Sequence, residues 1–262
     1  MKANTSRTHA TAFDAFTEVY DAGRRRLPPD LLAPAFAAAG LGGGSRVMEV
    51  GAGTGQLTAT LLDAGMRPVA IEPGDRMREL LSRRYPGLPI RSGFFEDQPV
   101  EAGAYDGIVG ANSWHWVDPA RGYPLAASLL RPGGALLFYW TFSVLEPGVQ
   151  RRLNAEVFTG PYANQARDPD EMPGYVEEIT AAGRQEMAAS GDFAVSWWQS
   201  TDDTFELRLA GYLDYLRSFA DIASLDEPAR AHLAERVTEI VGPTGSLSMT
   251  DRVYTVVAHR IR

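Results

Sequence analysis

Cysteine is absent from the 262-residue chain, and lysine occurs once, at Lys2. The first absence excludes disulfides, thiolate nucleophiles, Cys-ligated zinc and iron-sulfur clusters. The second excludes Schiff-base chemistry and a lysine-bearing phosphate loop, because no interior amine is available. Histidine is sparse as well, at His9, His115, His232 and His259. No run approaches the length of a membrane span, and the polar stretch Met1 to Thr11 has no signal-peptide core. Basic charge is in deficit: 25 Lys plus Arg face 33 Asp plus Glu, a net charge of -8. A nucleic acid or an anionic membrane is therefore not expected as a partner, and a soluble cytoplasmic protein is.

What is present is a chain with 45% apolar residues, enough for a sizeable core. From Arg46 to Trp140, short apolar runs alternate with amphipathic stretches, the pattern of βα units around a parallel sheet. Strands are predicted at 46–50, 68–71, 88–91, 107–110 and 135–140, with helices at 56–64, 76–85 and 119–130. Two helices, 12–20 and 31–39, precede this core. After it come a Pro-, Gly- and acid-rich insertion with a helix at 175–189, a β-like run at 193–201, helices near 205–219 and 227–241, and a last strand at 252–259. The expected fold is α/β, a doubly wound (Rossmann-like), mostly parallel seven-stranded sheet with helices on both faces. It forms one domain, divided as 1–45 helical cover, 46–142 core, 143–192 lid insertion and 193–262 C-terminal helices and last strands.

The strongest local signal is VMEVGAGTGQ, residues 47–56, in which an apolar strand runs into Gly51, Gly53 and Gly55 and opens a helix. Glycines there let a ligand approach the backbone. Gln56 stands where a dinucleotide fingerprint wants a small residue, which disfavours NAD. Glu49 sets a carboxylate at the ligand end of the strand and suits a cation. Glu72 follows Gly51 by 21 residues, where an acidic side chain in doubly wound folds meets ribose hydroxyls. A nucleoside bearing an ammonium group fits this set.

In the order EVGAGTGQ, IEP, GFFED, YDGIVGANSWHWVDP and LRPGGALLFYW, the chain resembles the class I S-adenosylmethionine-dependent methyltransferases, closely over about residues 12–140 and more loosely beyond. The resemblance implies S-adenosyl-L-methionine as cofactor, S-adenosyl-L-homocysteine as product, and a small-molecule acceptor of the metabolite or natural-product kind, trans-aconitate-like enzymes included. It places Glu49, Gly51, Gly53 and Gln56 around the methionine moiety, Glu72 on the ribose and Met77 near the adenine. Asn112, in the segment after the fourth strand, joins the cofactor set. Many relatives have Gly-Asp after the third strand, but here Gly93 precedes Phe94. Adenine contacts then fall to Phe94, Phe95 and Glu96, unless the aromatic pair is core. Tyr20 and Arg24 resemble a segment that folds over the cofactor and meets its carboxylate; a solvated Arg24–Arg26 run is the alternative.

Trp114, Trp116 and Trp140 fall at predicted strand ends and could wall an apolar acceptor site, or simply anchor the chain. His115 is the one histidine placed at this rim, either as a general base or as a loop-orienting group. Tyr212, on a helical stripe with Leu216 and Phe219, faces either the acceptor or the core. Ala111-Asn112 stand where a metal-dependent relative needs a carboxylate, so no metal is expected. Monomer and homodimer both remain open. A protein of this fold that binds the cofactor but catalyses another reaction, such as cyclisation, is the alternative function.

Overall fold

The computed structural model describes residues 12–242 and 245–261. Lys2, His9 and the polar stretch Met1 to Thr11 lie outside them. A 3-10 turn, Ala12–Phe16, leads into α1 (Thr17–Gly23) and α2 (Pro29–Ala38). The core follows as β1 (Arg46–Val50), α3 (Gln56–Asp63), β2 (Arg67–Glu72), α4 (Asp75–Arg84), β3 (Ile90–Ser92), β4 (Tyr105–Ala111), α5 (Pro119–Leu129) and β5 (Leu130–Leu145). Then come α6 (Pro147–Glu156), α7 (Met172–Ala189), β6 (Phe193–Arg208), α8 (Leu209–Arg217), α9 (Ala220–Ala223), α10 (Glu227–Val241) and β7 (Ser246–Arg260).

Seven strands form one sheet in the order β3-β2-β1-β4-β5-β7-β6. β1 to β5 are parallel, and β7 runs antiparallel to both of its neighbours. Side chains alternate across the sheet. Phe138, Tyr254 and Val256 enter a core with Trp114, Tyr123 and Phe193, while Leu137, Tyr139, Val253 and Val257 enter the opposite one with Leu32, Phe36 and Leu57.

Three strands are longer than the sequence suggests. β5 runs past Trp140 to Leu145, β6 past Thr201 to Arg208, and β7 starts at Ser246. The stretch near Phe205, expected to be helical, is strand because Phe205 and Leu207 alternate with exposed Glu206 and Arg208, a period of two. Pairing of β4 with β5 stops at Ala111↔Tyr139, whereas β5 and β7 continue pairing to Leu145↔Met249. A three-stranded arm thus rises roughly 20 Å beyond the rim of the parallel strands. α6, α8 and α10 cover it through Leu153, Tyr212, Leu216, Leu233 and Val237.

The insertion expected as a lid divides around this arm. α6 joins the helical cover, and α7 lies on the other face through Met187, near Phe193 and Tyr254. Helix α1 packs tightly on α8: a Cβ at Gly23 would stand 2.3 Å from the Asp214 carbonyl oxygen.

Phe138 is fully buried and stacks on Trp114 at 4.3 Å. Truncating it leaves a cavity in the middle of the sheet. Phe138→Ala is expected to lower stability by about 3–5 kcal/mol, read by urea denaturation.

Candidate cofactor and acceptor site

Strand β1 delivers its chain to the rim in an extended conformation, and the loop that follows reverses it with left-handed backbone at Gly51, Gly53 and Gly55. Gly51 is required twice over: its φ is +66°, and a Cβ there would meet the Ser113 Cβ at 2.7 Å. Across the rim, Asn112 also adopts a left-handed conformation, φ 50°, and its carboxamide oxygen accepts from the Thr141 N–H at 2.9 Å. That bond fastens the β4 turn to the base of the arm.

A cavity of about 490 Å³ opens between this rim, the arm and helices α1 and α8. Its inner end is lined by Glu49, Gly51, Gly53, Gln56 and Asn112, and its outer end by Ser143, Phe205, Tyr215, Met249 and Asp251, with Tyr20, Arg24 and Arg25 along one side. This size suits a small organic ligand.

Glu49 is 1% exposed. Its carboxylate accepts from the Thr58 hydroxyl at 2.7 Å, and burial pushes its pKa up to about 8. A carboxylate in that setting is short of positive charge, which a bound cation would supply. Arg24 is the complementary case. Its guanidinium lies over Phe219 at 4.4 Å, Tyr20 at 5.4 Å and Tyr215 at 5.5 Å, yet its buried Nε has no hydrogen-bond partner. Among the described residues it forms no ion pair. One end of the cavity thus offers a carboxylate and one side a guanidinium, a pair that matches an amino acid.

Glu72 is placed differently from the expectation of an open ribose ligand. Its two oxygens accept from the Gly53 and Gly74 N–H groups, each at 2.8 Å, and it does not line the cavity. Burial raises its pKa against those two bonds. The N-terminal turn covers this end: Asp14 accepts from the Arg76 and Met77 N–H groups at the start of α4. Farther along, Arg84 ties Asp21 to the Thr54 carbonyl. Each Glu72 oxygen keeps a lone pair for a further donor.

The residues assigned to the adenine and to the aromatic wall lie outside the main cavity. Met77 is buried under the N-terminal turn and outside the cavity. Phe95 is core, 2% exposed and packed on Trp114 at 5.3 Å. Glu96 accepts from the Asp118 N–H at 2.8 Å, holding the next turn, and Phe94 precedes it outside the cavity. Tyr212 is core against α6 and α10, because its neighbour on the helix, Tyr215, takes the cavity face.

Trp114, His115 and Trp140 line a second cavity of about 250 Å³ under α7, with Tyr175, Arg184 and Tyr254. The reason is the sheet's alternation: Tyr139, Thr141 and Ser143 face the main cavity, so Trp140 and Phe142 face away from it. His115 Nδ1 accepts from the Trp140 indole N–H at 3.3 Å, and burial pushes its pKa down to about 4. Trp116 packs on His115 at 4.6 Å and lines neither cavity. Asp251, Arg25 and Phe205 were not legible as site residues. Their one signal is a lone acid, Asp251, inside the apolar alternation of the last strand.

Residues 48–138 match the family model described as a methyltransferase domain. An uncharacterized methyltransferase of Mycobacterium tuberculosis is 37% identical over 137 residues, 51% of this chain and 54% of that one. Another, YrrT of Bacillus subtilis, is 42% identical over 73 residues, 28% of this chain and 34% of that one. The chain spans about half the length of the mycobacterial relative it matches. Among solved structures, a candidate type II methyltransferase from Anaeromyxobacter dehalogenans superposes with a TM-score of 0.67 at 17% identity, covering 89% of this chain and 97% of that one. The [4+2]-cyclase SpnF gives 0.54 at 14% identity, covering 99% and 96%. Sheet order and the glycine loop agree with the methyltransferase-domain model that residues 48–138 match.

Among the described residues, no three His, Asp or Glu side chains are grouped to hold a metal ion, and no helix is long and apolar enough to cross a membrane.

The buried neutral acid at Glu49 has a thermodynamic signature in the free protein. Its folded pKa, about 8, exceeds the ordinary 4.5, so its contribution to stability is present below pH 4.5 and is lost as pH rises through 8. Glu49→Gln removes that loss. Urea denaturation is expected to show the variant gaining on the wild type across this window, by on the order of 4 kcal/mol. A constant difference at all pH values would contradict a buried neutral Glu49.

Proposed function

We propose that this protein transfers a methyl group from S-adenosylmethionine to a nucleophilic atom of a small organic molecule, without a metal ion. The observation that carries the reading is the buried carboxylate of Glu49 facing a cavity floored by left-handed glycines. When bound, S-adenosylmethionine supplies an electrophilic methyl group on a sulfonium sulfur.

The chain's own residues divide the remaining work. Glu49 takes the ammonium group, which draws it into the charged form. Arg24, with an unused buried N–H, takes the cofactor's carboxylate, and Tyr20 closes over Gly53 with its ring at 3.9 Å from a Cβ built there. Gln56 and Asn112 line the floor, and Glu72 receives the ribose once the N-terminal turn lifts. Phe205, Tyr215 and Met249 give the outer end an apolar wall beside Arg25 and Asp251, which favours a small organic acceptor with a polar group. The neighbouring fold of SpnF belongs to a protein named as a cyclase. A gain of one methyl in the product, against an isomerised acceptor, separates the two chemistries.

Calorimetry with S-adenosylmethionine, S-adenosylhomocysteine and NADH tests the cofactor. The first two are expected to bind and NADH not to. At about pH 7, buffers of differing ionisation enthalpy are expected to reveal release of up to one proton, as Glu49 ionises beside the ammonium group. Glu49→Gln should abolish that release and weaken binding about ten- to a hundredfold. A folded wild-type protein that binds neither sulfur nucleoside would overturn the proposal.

A further inference from the structure

The outer half of the main cavity contains an acid that neither the fold nor cofactor binding requires. Asp251 is 4% exposed and sits on β7 directly opposite Ser143 of β5 and Asp203 of β6. Ser143 is two residues beyond Thr141, which Asn112 fastens to the rim. Asp251 therefore stands roughly 7 Å above the rim, on the cavity face. Its Oδ1 accepts from the Ser143 hydroxyl at 2.5 Å, and its Oδ2 is 3.6 Å from Arg25 Nη1.

Asp251 holds only the longer side of a shared ion pair. Arg25 forms its closer ion pair with Asp203 and stacks over Phe205 at 3.9 Å. Two carboxylates thus share one guanidinium, on directly opposed strand positions where like charges destabilise a sheet. A neutral side chain at 251 would keep the Ser143 bond and relieve that repulsion. The groups facing Asp251 are Arg24 and Arg25 from the segment after α1, Asp203 from β6, Ser143 from β5 and Tyr215 from α8. Burial raises its carboxyl, while Ser143 and Arg25 oppose this. His115 cannot share this role, since it opens into the cavity under α7.

We infer that Asp251, held by Ser143, is the proton acceptor for the methylated molecule, whose nucleophile is a hydroxyl or amine on an apolar or aromatic frame seated between Phe205 and Tyr215. This rests on the methyl-transfer reading above. As the acceptor's oxygen or nitrogen bonds to the methyl carbon, the carbon–sulfur bond breaks with its electron pair left on sulfur. The acceptor's proton passes to the Asp251 carboxylate and is released to water when the product leaves.

The test separates this inference from the reading beneath it. Wild type and Asp251→Asn are first titrated with S-adenosylhomocysteine, which both are expected to bind because the hydrogen bond and ion pair of Asp251 go to Ser143 and Arg25 and not to the glycine loop or Arg24. Each saturated protein is then titrated with p-cresol, benzylamine and, as a ring without a proton to give, anisole. Wild type is expected to bind p-cresol or benzylamine about ten times more tightly than anisole, with the preferred probe telling hydroxyl from amine. Asp251→Asn should reduce that preference to within about threefold. Should Asp251→Asn fail to fold, Ser143→Ala carries the test: losing a bond to the charged form should move the pH midpoint of probe binding upward. Equal binding of all three probes, no binding of any, an unchanged preference in Asp251→Asn or an unmoved midpoint in Ser143→Ala would overturn the role of Asp251. Failure of S-adenosylhomocysteine to bind would overturn the methyl-transfer reading itself.

Discussion

The hydrogen-bonded ladder between β5 and β7 beyond Tyr139 is the constraint on which the rest of the site depends. Below that residue, β5 is an inner strand of a parallel sheet. Above it, the strand has lost β4 and pairs in the sheet with its antiparallel partner alone. Because the ladder continues, the arm stands over the rim, and helices α1 and α8 have a surface to close against. The cavity is the space this leaves. Had the strand ended at Trp140, the glycine loop would open directly to solvent, and neither Ser143 nor Asp251 would be near it.

The same ladder sorts the aromatic side chains. Tyr139, Thr141 and Ser143 share one face, and Phe138, Trp140 and Phe142 the other. A single residue's difference in position therefore decides between the cofactor cavity and the apolar cavity under α7. His115 follows Trp140 because their ring nitrogens are bonded, and it becomes a neutral, buried imidazole.

Three buried acids illustrate how surroundings assign roles to one functional group. Glu72 has a backbone N–H on each oxygen and fixes the glycine loop. Glu49 has one hydroxyl and burial against it, and is poised for a cation. Asp251 shares an arginine with Asp203 beside an apolar wall. Around them, α6 and α7 cover the two faces of the arm, and of the 143–192 insertion only Ser143 reaches the cavity.

Much of the core was legible because its signals are local. Apolar runs, Gly51, Gly53 and Gly55, and the break at Arg131 to Gly134 set strand, loop and helix within a few residues of each other. Helices 56–63, 119–129 and 227–241 lie within a residue of expectation for that reason. Glu49 was identifiable from its offset to the first glycine, since a strand fixes where its last side chains end. The sequence by itself thus determined a glycine-turned βα unit with a carboxylate at its mouth. Only the tertiary structure decided how far β5, β6 and β7 extend, because that depends on pairing between residues from 38 (Arg208↔Ser246) to 124 (Ala135↔His259) positions apart. It alone decided that Trp114 and Trp140 face away from the glycine loop while Asp251 faces the cavity, since each strand's alternation acquires an inside and an outside only when its partners and covering helices are in place.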